Sequence, residues 1–257
     1  MAELNGEPVS SAALTALALT NYGHFTTLRI TDGRVKGLGL HLERLNRDCA
    51  ALFDAELDPD RVRRLVRRLV PPVGTLTARV TVFDPSLTLA SLGAPAQPQV
   101  LVTTRPAPAV PAGPLAVRTV PFVRDCPSVK SVGLFGALRH GRAARRAGWD
   151  DVLFTDEAGR LSEGGTWNVG LVRGQEVVWP SAASLPGVTR ALLAQLPGHR
   201  YAPVADEQLV EYDAVFATNA VTGVRPISRV DDREFPELHP VLRELREAYE
   251  AIEGDPL

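Results

Sequence analysis

The nine residues Leu161-Ser162-Glu163-Gly164-Gly165-Thr166-Trp167-Asn168-Val169 place one acidic side chain before two glycines and then lead into an apolar run. Short strands are predicted around this segment at residues 151–156, 167–172 and 177–179. Turn-forming residues at 157–159 and 173–175 separate these strands, and such short connections favour antiparallel pairing. The pattern therefore predicts a mostly antiparallel sheet, although Glu163 considered alone would be a solvated turn residue.

The N-terminal part of the chain is predicted to form one sheet that two helices cover. Its strands are predicted as a pair within residues 2–9 and then at 25–30, 76–83 and 100–104. Asp32-Gly33 is a hairpin turn signal, and apolar residues at helical spacing indicate a helix across 42–53. A second helix is expected to begin with Asp58 as its N-cap and Pro59 at its first position.

A proline-rich stretch separates the two halves of the chain. Residues 105–114 read Arg-Pro-Ala-Pro-Ala-Val-Pro-Ala-Gly-Pro, which interrupts regular structure. We therefore predict an N-terminal α+β domain over 1–104, a linker over 105–114 and a C-terminal domain over 115–257. Further elements predicted in the C-terminal domain are strands at 115–120 and 214–218 and helices that end near Gly148, Leu196 and Ile252.

The composition of the chain limits the kinds of binding partner that are expected. The chain is 45% hydrophobic and 23% charged, and its net charge of -2 gives no field that would attract nucleic acid or anionic lipid. Cys49 and Cys126 lie too far apart to suggest a disulfide framework. The N-terminus lacks the order of a signal peptide, and no apolar run approaches the roughly 20 residues that span a bilayer. We expect a cytoplasmic protein with a small-molecule substrate and no membrane or nucleic-acid partner.

The distribution of lysine bears on chemistry. Arginine occurs throughout the chain, whereas lysine occurs only at Lys36 and Lys130. Arginine can replace lysine as a surface cation but cannot supply a primary amine that deprotonates and condenses with a carbonyl. Lys36 follows a hairpin turn and is expected to be solvated, whereas Lys130 has no such local explanation and is the candidate for covalent chemistry.

Five segments resemble the class IV aminotransferase family, in the family's order and over nearly the whole chain. They are Leu40–Leu45, Val129–Ser131, Leu161–Val169, Leu185–Arg190 and Phe216–Ile227. The resemblance implies an α/β fold of the fold-type IV kind, with a smaller N-terminal α+β domain and a larger, mainly antiparallel pseudo-barrel domain. It also implies pyridoxal 5'-phosphate (PLP) as cofactor. Because relatives build each active site at a subunit boundary, it further implies a homodimer.

The resemblance assigns roles to individual residues. Lys130 matches the lysine that binds the cofactor as a Schiff base, and Glu163 matches the glutamate that faces the pyridine nitrogen. The other cofactor-binding positions, at the phosphate and beside the substrate, are Arg44, Gly187, Val188, Thr189, Thr218, Asn219 and Ala220. Substrate contacts are expected at Tyr22, His24, Thr26 and Thr27. No metal is expected, since the five histidines are scattered.

Several functions remain open. We favour an aminotransferase that moves an amino group between an amino acid and a 2-oxo acid. The alternative is aminodeoxychorismate lyase, which releases pyruvate and forms 4-aminobenzoate; Phe25-Thr26-Thr27 and Asn219-Ala220 support it. Gly133-Leu134 stands where many relatives have asparagine followed by tyrosine or arginine, so the partner of the cofactor ring hydroxyl is not identified. A noncatalytic PLP-binding protein is a third alternative, and a serine hydrolase lacks the nucleophile-elbow spacing.

Overall fold

The computed structural model describes residues 1–109 and 113–257. In chain order the strands are β1 (Ala2–Leu4), β2 (Glu7–Pro8), β3 (His24–Thr31), β4 (Arg34–Val35), β5 (Thr75–Phe83), β6 (Gln99–Pro106), β7 (Leu115–Pro121), β8 (Asp151–Thr155), β9 (Leu161–Gly164), β10 (Asn168–Arg173), β11 (Glu176–Pro180), β12 (His199–Ala202), β13 (Ala214–Asn219), β14 (Gly223–Val230), β15 (Arg233–Glu234) and β16 (Asp255–Pro256). The α-helices are α1 (Ser11–Thr20), α2 (Leu38–Phe53), α3 (Pro59–Arg68), α4 (Phe135–Arg146), α5 (Val188–Leu193) and α6 (Pro240–Ala251). Short 3₁₀ helices cover Leu89–Ser91 and Asp206–Glu211.

Internal contacts divide the chain into two compact units. The first holds residues 1–109, 129–133 and 253–257, and the second holds 134–252 together with the described residues of 110–128. The Lys130 segment therefore belongs to the first unit, although it was assigned to the C-terminal domain from the sequence. The domain limits stay a prediction, because a division by contacts does not test independent folding. Within the predicted linker, residues 110–112 lie outside the described residues.

The first unit is a seven-stranded sheet in the order β16-β4-β3-β5-β6-β1-β2, and its strand pairs are antiparallel. Strand β3 pairs with β5 along its whole length, from His24 opposite Val82 to Thr31 opposite Thr75. Apolar residues of α2 and α3 pack on one sheet face, as their helical spacing predicted; they include Leu38, Leu42, Leu45, Cys49, Val62, Leu65 and Val66.

Local signals in the first unit are largely confirmed. Asp58 caps α3 by accepting the N–H of Asp60, and Pro59 is the first helical residue. Strand β6 continues through Pro106, beyond the predicted start of the linker, because it keeps pairing with the opening residues of β5. Helix α1 was missed, since alanine and leucine occur all round it and leave no periodic pattern.

The second unit is a nine-stranded sheet that closes on itself. Eight strands follow the path β12-β11-β10-β13-β14-β7-β8-β9, and the ninth, β15, pairs with β14. Strand β9 pairs back to β10 where Glu163 lies opposite Asn168. Most neighbours are antiparallel, as predicted; the parallel pairs are β11–β12, β14–β7 and β7–β8. An apolar core of the closed sheet includes Val117, Leu153, Leu161, Val169, Leu171, Val215 and Ile227. The mixed α/β fold expected from the sequence is thus confirmed.

Two details of the second unit differ from what the local sequence alone indicates. Helix α5 ends at Leu193 rather than Leu196. A turn follows it, in which the N–H of Leu196 donates to the carbonyl of Leu193 at 3.0 Å, and Pro197 disfavours helical backbone at Leu196. Glu163 lies within β9 and is 8% exposed, so it is not a solvated turn residue. No helix in the described ranges combines the length and apolarity needed to cross a bilayer.

Candidate functional site

Lys130 is anchored through its main chain to the start of β3. The N–H of Phe25 donates to the carbonyl of Lys130 at 2.9 Å, and the N–H of Val132 donates to the carbonyl of Gly23 at 2.9 Å. Between these bonds, Ser131 pairs with His24 as an antiparallel bridge. The side chain of Lys130 lies against the Phe25 ring, with Nζ 4.8 Å from its centroid. The lysine backbone is therefore fixed by the sheet, and its amine is presented beside an aromatic face.

Asp48 contacts the backbone N–H of Lys130, whose carbonyl is bonded to Phe25. Its Oδ2 accepts the backbone N–H of Lys130 at 2.9 Å, and its Oδ1 accepts from Nη2 of Arg47 at 2.7 Å. The Asp48 side chain is fully buried. Sequence reasoning missed this residue, although a signal was present: polar His41, Arg44 and Asp48 follow each other at i, i+3 and i+7 on α2.

Arg44 and His41 meet at the hydroxyl of Thr26. Nη2 of Arg44 donates to Thr26 Oγ1 at 2.7 Å, and the same oxygen lies 2.7 Å from Nδ1 of His41. A guanidinium has no acceptor, so Thr26 accepts from Arg44 and is free to donate its own proton to His41. Burial, and then the charge of Arg44, hold the pKa of His41 well below its usual value of 6.5. Burial lowers the pKa of Arg44 to about 10, so the guanidinium remains charged at neutral pH.

The four predicted substrate residues have different surroundings. Tyr22 donates to the carbonyl of Leu52 at 2.9 Å, and Thr26 is occupied by Arg44 and His41. His24 is fully buried, and neither of its ring nitrogens has a hydrogen-bond partner in the part of the chain that the structure describes. Burial lowers the pKa of His24 to about 4, against the opposing effect of Asp48. Thr27 is half-buried on β3 and lies opposite Arg79.

Strands β3 and β5 present a polar row that the sequence analysis did not single out. Residues Thr77, Arg79 and Thr81 alternate with apolar Ala78, Val80 and Val82, a pattern that indicates one polar and one apolar face. The guanidinium carbon of Arg79 lies 3.6 Å from the centroid of the Phe25 ring, and its Nε donates to Thr81 at 3.2 Å. Burial, and then the charge of Arg105, lower the pKa of Arg79. Phe25 therefore has both a lysine amine and an arginine against its ring.

In the second unit, Glu163 is clamped by two donors. Nε of Arg124 donates to Oε1 at 2.9 Å, and the N–H of Leu185 donates to Oε2 at 3.0 Å. Arg124 also donates to the carbonyl of Pro127. Each carboxylate oxygen of Glu163 is thus bonded to a different donor. Sequence reasoning missed Arg124, which lies 39 residues from its partner.

The glycines around Glu163 are required by close packing. A Cβ on Gly164 would lie 2.0 Å from the Trp167 ring, and a Cβ on Gly187 would lie 2.0 Å from Oδ1 of Asn168. Asn168 in turn donates to the carbonyl of Leu185 at 2.9 Å. The Glu163 strand and the Gly187 loop are thereby held together through Asn168.

The remaining predicted cofactor residues lie on β13, α5 and the turn after β13. Thr218 lies opposite Asn168 in the sheet, and its buried hydroxyl has no hydrogen-bond partner within the described residues. Thr189 is buried in the first turn of α5 and its hydroxyl donates to Tyr249 at 3.4 Å. Asn219 uses its side-chain oxygen to accept the N–H groups of 221 and 222, so its role in this structure is to hold a turn. Ala220 is half-buried in that turn.

The mixed α/β fold with a closed sheet is the fold of the fold-type IV enzymes. Residues 23–230 match the family described as amino-transferase class IV. That match covers most of the chain, which therefore belongs to the class IV aminotransferase family.

Three relatives illustrate the range of the similarity. A Thermotoga maritima protein described as a branched-chain-amino-acid aminotransferase is 31% identical over 133 residues, which are 48% of this chain and 47% of that protein. The chain thus matches about half of that relative's length. A hypothetical aminotransferase from Mycobacterium tuberculosis, in its PLP-bound form, has a TM-score of 0.83 at 19% identity, with 98% of each chain covered. A Legionella pneumophila protein described as a 4-amino-4-deoxychorismate lyase has a TM-score of 0.77 at 23% identity, with 89% of this chain and 90% of that chain covered. The two structures show the shared fold alone.

Proposed function

We propose that this protein is a PLP-dependent aminotransferase that moves an amino group between an amino acid and a 2-oxo acid. One observation carries the proposal: the amine of Lys130 and the guanidinium of Arg79 both lie against the Phe25 ring. An amino acid or oxo acid carries its reacting carbon next to a carboxylate. A primary amine and a partly buried guanidinium against one aromatic ring offer a group for each of these two functions.

The residues of the second unit fit the phosphate and ring of the cofactor. The buried hydroxyl of Thr218 is a polar group without a protein partner in the described residues, and such a group is costly unless a ligand or water satisfies it. The N–H groups that open α5 have no partner within the helix, and Gly187 lets the chain approach Asn168 closely. We infer that Gly187, Val188 and Thr189 bind the phosphate.

The other proposed contacts follow the chemistry of each side chain. Arg44 stays charged at neutral pH and would pair with the phosphate. Lys130 would hold the cofactor covalently, and Glu163, oriented by Arg124 and the Leu185 amide, would hold a proton on the ring nitrogen. Thr218, Asn219 and Ala220 would lie beside the cofactor, with Asn219 acting through its turn.

The reaction then needs a group that moves a proton. Bound PLP supplies an electron sink for the negative charge that develops when the substrate carbon loses its proton. Lys130 Nζ would take that proton and return it, because a lysine amine can change protonation state where an arginine cannot. Arg79 would hold the substrate carboxylate, and the Phe25 ring would exclude water from the reacting carbon.

A second candidate is aminodeoxychorismate lyase. The Legionella protein shares the fold, and Phe25-Thr26-Thr27 and Ala220 are compatible with that activity. The hydroxyl of Thr26 is already bonded to Arg44 and His41, which leaves Thr27 as the threonine of that segment with access to the Phe25 face. Product analysis separates the two: an aminotransferase yields a new amino acid and oxo acid, whereas the lyase yields pyruvate and 4-aminobenzoate.

The assembly and location are further parts of this proposal. Phe135 and Leu138 are 78% and 62% exposed at adjacent turns of α4, and two large apolar side chains exposed side by side support a subunit interface there. We infer a homodimer, which light scattering of the active protein tests. The free thiols of Cys49 and Cys126 fit a reducing, cytoplasmic location.

The experiment that tests the function begins with the purified protein and supplied PLP. Amino acid and 2-oxo acid pairs are offered first, and aminodeoxychorismate second, with all products quantified. Amino-group transfer supports the proposed function, and pyruvate with 4-aminobenzoate supports the alternative. Bound cofactor with neither activity would identify a noncatalytic PLP-binding protein.

A further inference from the structure

The buried carboxylate of Asp48 has no place in the chemistry described above, yet it contacts the main chain of the candidate lysine. Its Oδ2 lies 2.9 Å from the backbone nitrogen of Lys130, across 82 residues of sequence. We propose that Asp48 is a positioning residue that holds Lys130 at a set distance from Arg44, a proposal that rests on the role proposed above for Lys130.

Both oxygens of Asp48 are used, and each has a different partner. Oδ1 accepts from Nε and Nη2 of Arg47, at 3.2 and 2.7 Å, and Arg47 is about half exposed. Oδ2 accepts the Lys130 N–H. A fully buried carboxylate is retained only when its charge and its lone pairs are satisfied. The Arg47 contact balances the charge, and the Lys130 contact is the one that orders the candidate site.

The geometry of α2 explains why this contact sets a distance. Asp48 follows Arg44 by four residues, so both side chains leave the same face of one helix. Arg44 bonds to Thr26, and the adjacent Phe25 donates its N–H to the Lys130 carbonyl. Both backbone polar groups of Lys130 are therefore bonded: Asp48 on α2 accepts its N–H, and Phe25 on β3 donates to its carbonyl. A rigid helix fixes the lysine backbone relative to the Arg44 guanidinium.

A different role for Asp48 would be to offset the charges of Arg44 and Arg47 without affecting the lysine. The two roles predict that different substitutions will impair the protein. If the N–H contact is important, Asp48→Asn should substitute, because its amide oxygen can still accept that N–H. If charge is important, Asp48→Asn should be as harmful as Asp48→Ala, and Arg47→Met should also have an effect.

The test compares Asp48→Ala, Asp48→Asn and Arg47→Met with the unaltered full-length protein. Urea unfolding first establishes which variants fold. Hydrogen exchange of the Lys130 backbone amide is then followed by mass spectrometry of peptides that span it, a readout that requires no cofactor. The third measurement is the rate at which supplied PLP becomes fixed to Lys130 under borohydride, with the labelled peptide identified.

We expect Asp48→Ala to expose the Lys130 amide to exchange and to slow covalent fixation by roughly tenfold to a hundredfold, since small displacements of a reacting group have effects of that size. Asp48→Asn should restore both measurements to within about threefold, because its amide oxygen can accept the N–H. Arg47→Met should lower the free energy of unfolding, since it removes the cation paired with a buried carboxylate, but should leave both measurements on the folded protein within about twofold, because the acceptor for the N–H remains. Equal behaviour of Asp48→Ala and Arg47→Met would overturn the proposal. If Asp48→Ala does not fold, impaired fixation in Asp48→Asn overturns it instead.

A Lys130→Met variant distinguishes this proposal from the proposed function. If PLP is still fixed to that variant, Lys130 is not the lysine that binds the cofactor, and this conclusion does not depend on the results of the Asp48 variants. If fixation is lost in Lys130→Met but the Asp48 series shows no change in Lys130 amide exchange, the proposed function stands and the positioning role is rejected.

Discussion

Arg124 and Glu163 form a largely buried ion pair, with Nε of Arg124 2.9 Å from Oε1 of Glu163 and the two side chains 16% and 10% exposed. The N–H of Leu185 completes the clamp on the second carboxylate oxygen. Donors on both oxygens fix the orientation of the carboxylate. A substitution that keeps the size of Glu163 therefore tests its proposed role.

Replacing Glu163 with Gln should separate cofactor binding from turnover. The amide keeps the size and much of the hydrogen bonding of Glu163 but removes the charge proposed to hold a proton on the ring nitrogen. Binding should largely survive, while the half-reaction with an amino donor should slow by on the order of a hundredfold. Stopped-flow absorbance of the variant with supplied PLP measures both. Loss of cofactor with an unchanged rate in the bound fraction would show that Glu163 is structural.

PLP should become covalently fixed at Lys130 and not at Lys36. Borohydride reduction of the protein with supplied PLP should label one peptide, because a reduced imine is a stable amine. Lys130→Arg should abolish the label, since a guanidinium does not condense with the aldehyde under these conditions. Lys36→Arg is the matched control and should retain it. A label at Lys36 would contradict the assignment.

The hydroxyl of Thr218 should matter only when a ligand is bound. Thr218→Val removes a buried hydroxyl that lacks a protein partner in the described residues, so the cofactor-free protein should gain about 1 kcal/mol in free energy of unfolding. Affinity for PLP should fall by roughly threefold to tenfold, the value of one lost hydrogen bond. Thr77→Val is a matched control. The hydroxyl of Thr77 is also buried without a hydrogen-bond partner among the described residues, but Thr77 belongs to the first unit. Equal PLP affinity in both variants would argue against a cofactor contact at Thr218.

Acid should destabilise the fold through His24. Burial lowers the pKa of its imidazole from 6.5 to about 4. The unfolded chain therefore binds this proton first as the pH falls, and the folded state loses stability progressively between pH 6.5 and about 4. The loss from this one group is at most about 3 kcal/mol at the acid end. His24→Gln should flatten the pH dependence of the free energy of unfolding in that window, and an unchanged slope would show that His24 titrates normally.

Local sequence signals determined the family, the main elements and the candidate residues. Turns such as Asp32-Gly33 and the Asp58-Pro59 helix start depend on residues that are neighbours in the chain, and the periodicity of α2 depends on residues a few positions apart. The conformations that these residues favour are available before tertiary packing. The order of the family's motifs added the assignment of Lys130 and Glu163, whose roles stay predictions.

Only the tertiary structure decided which side chains hold those two residues. Asp48 bonds to Lys130 across 82 residues, and Arg124 bonds to Glu163 across 39. The pairing of β3 with β5 places Arg79 against the Phe25 ring. Glu163 lies in a strand, although the two glycines that follow it in the sequence indicate a turn. Hydrogen bonds and ring contacts over such separations depend on how strands and helices pack, and no local period or turn signal encodes a partner that distant in the chain.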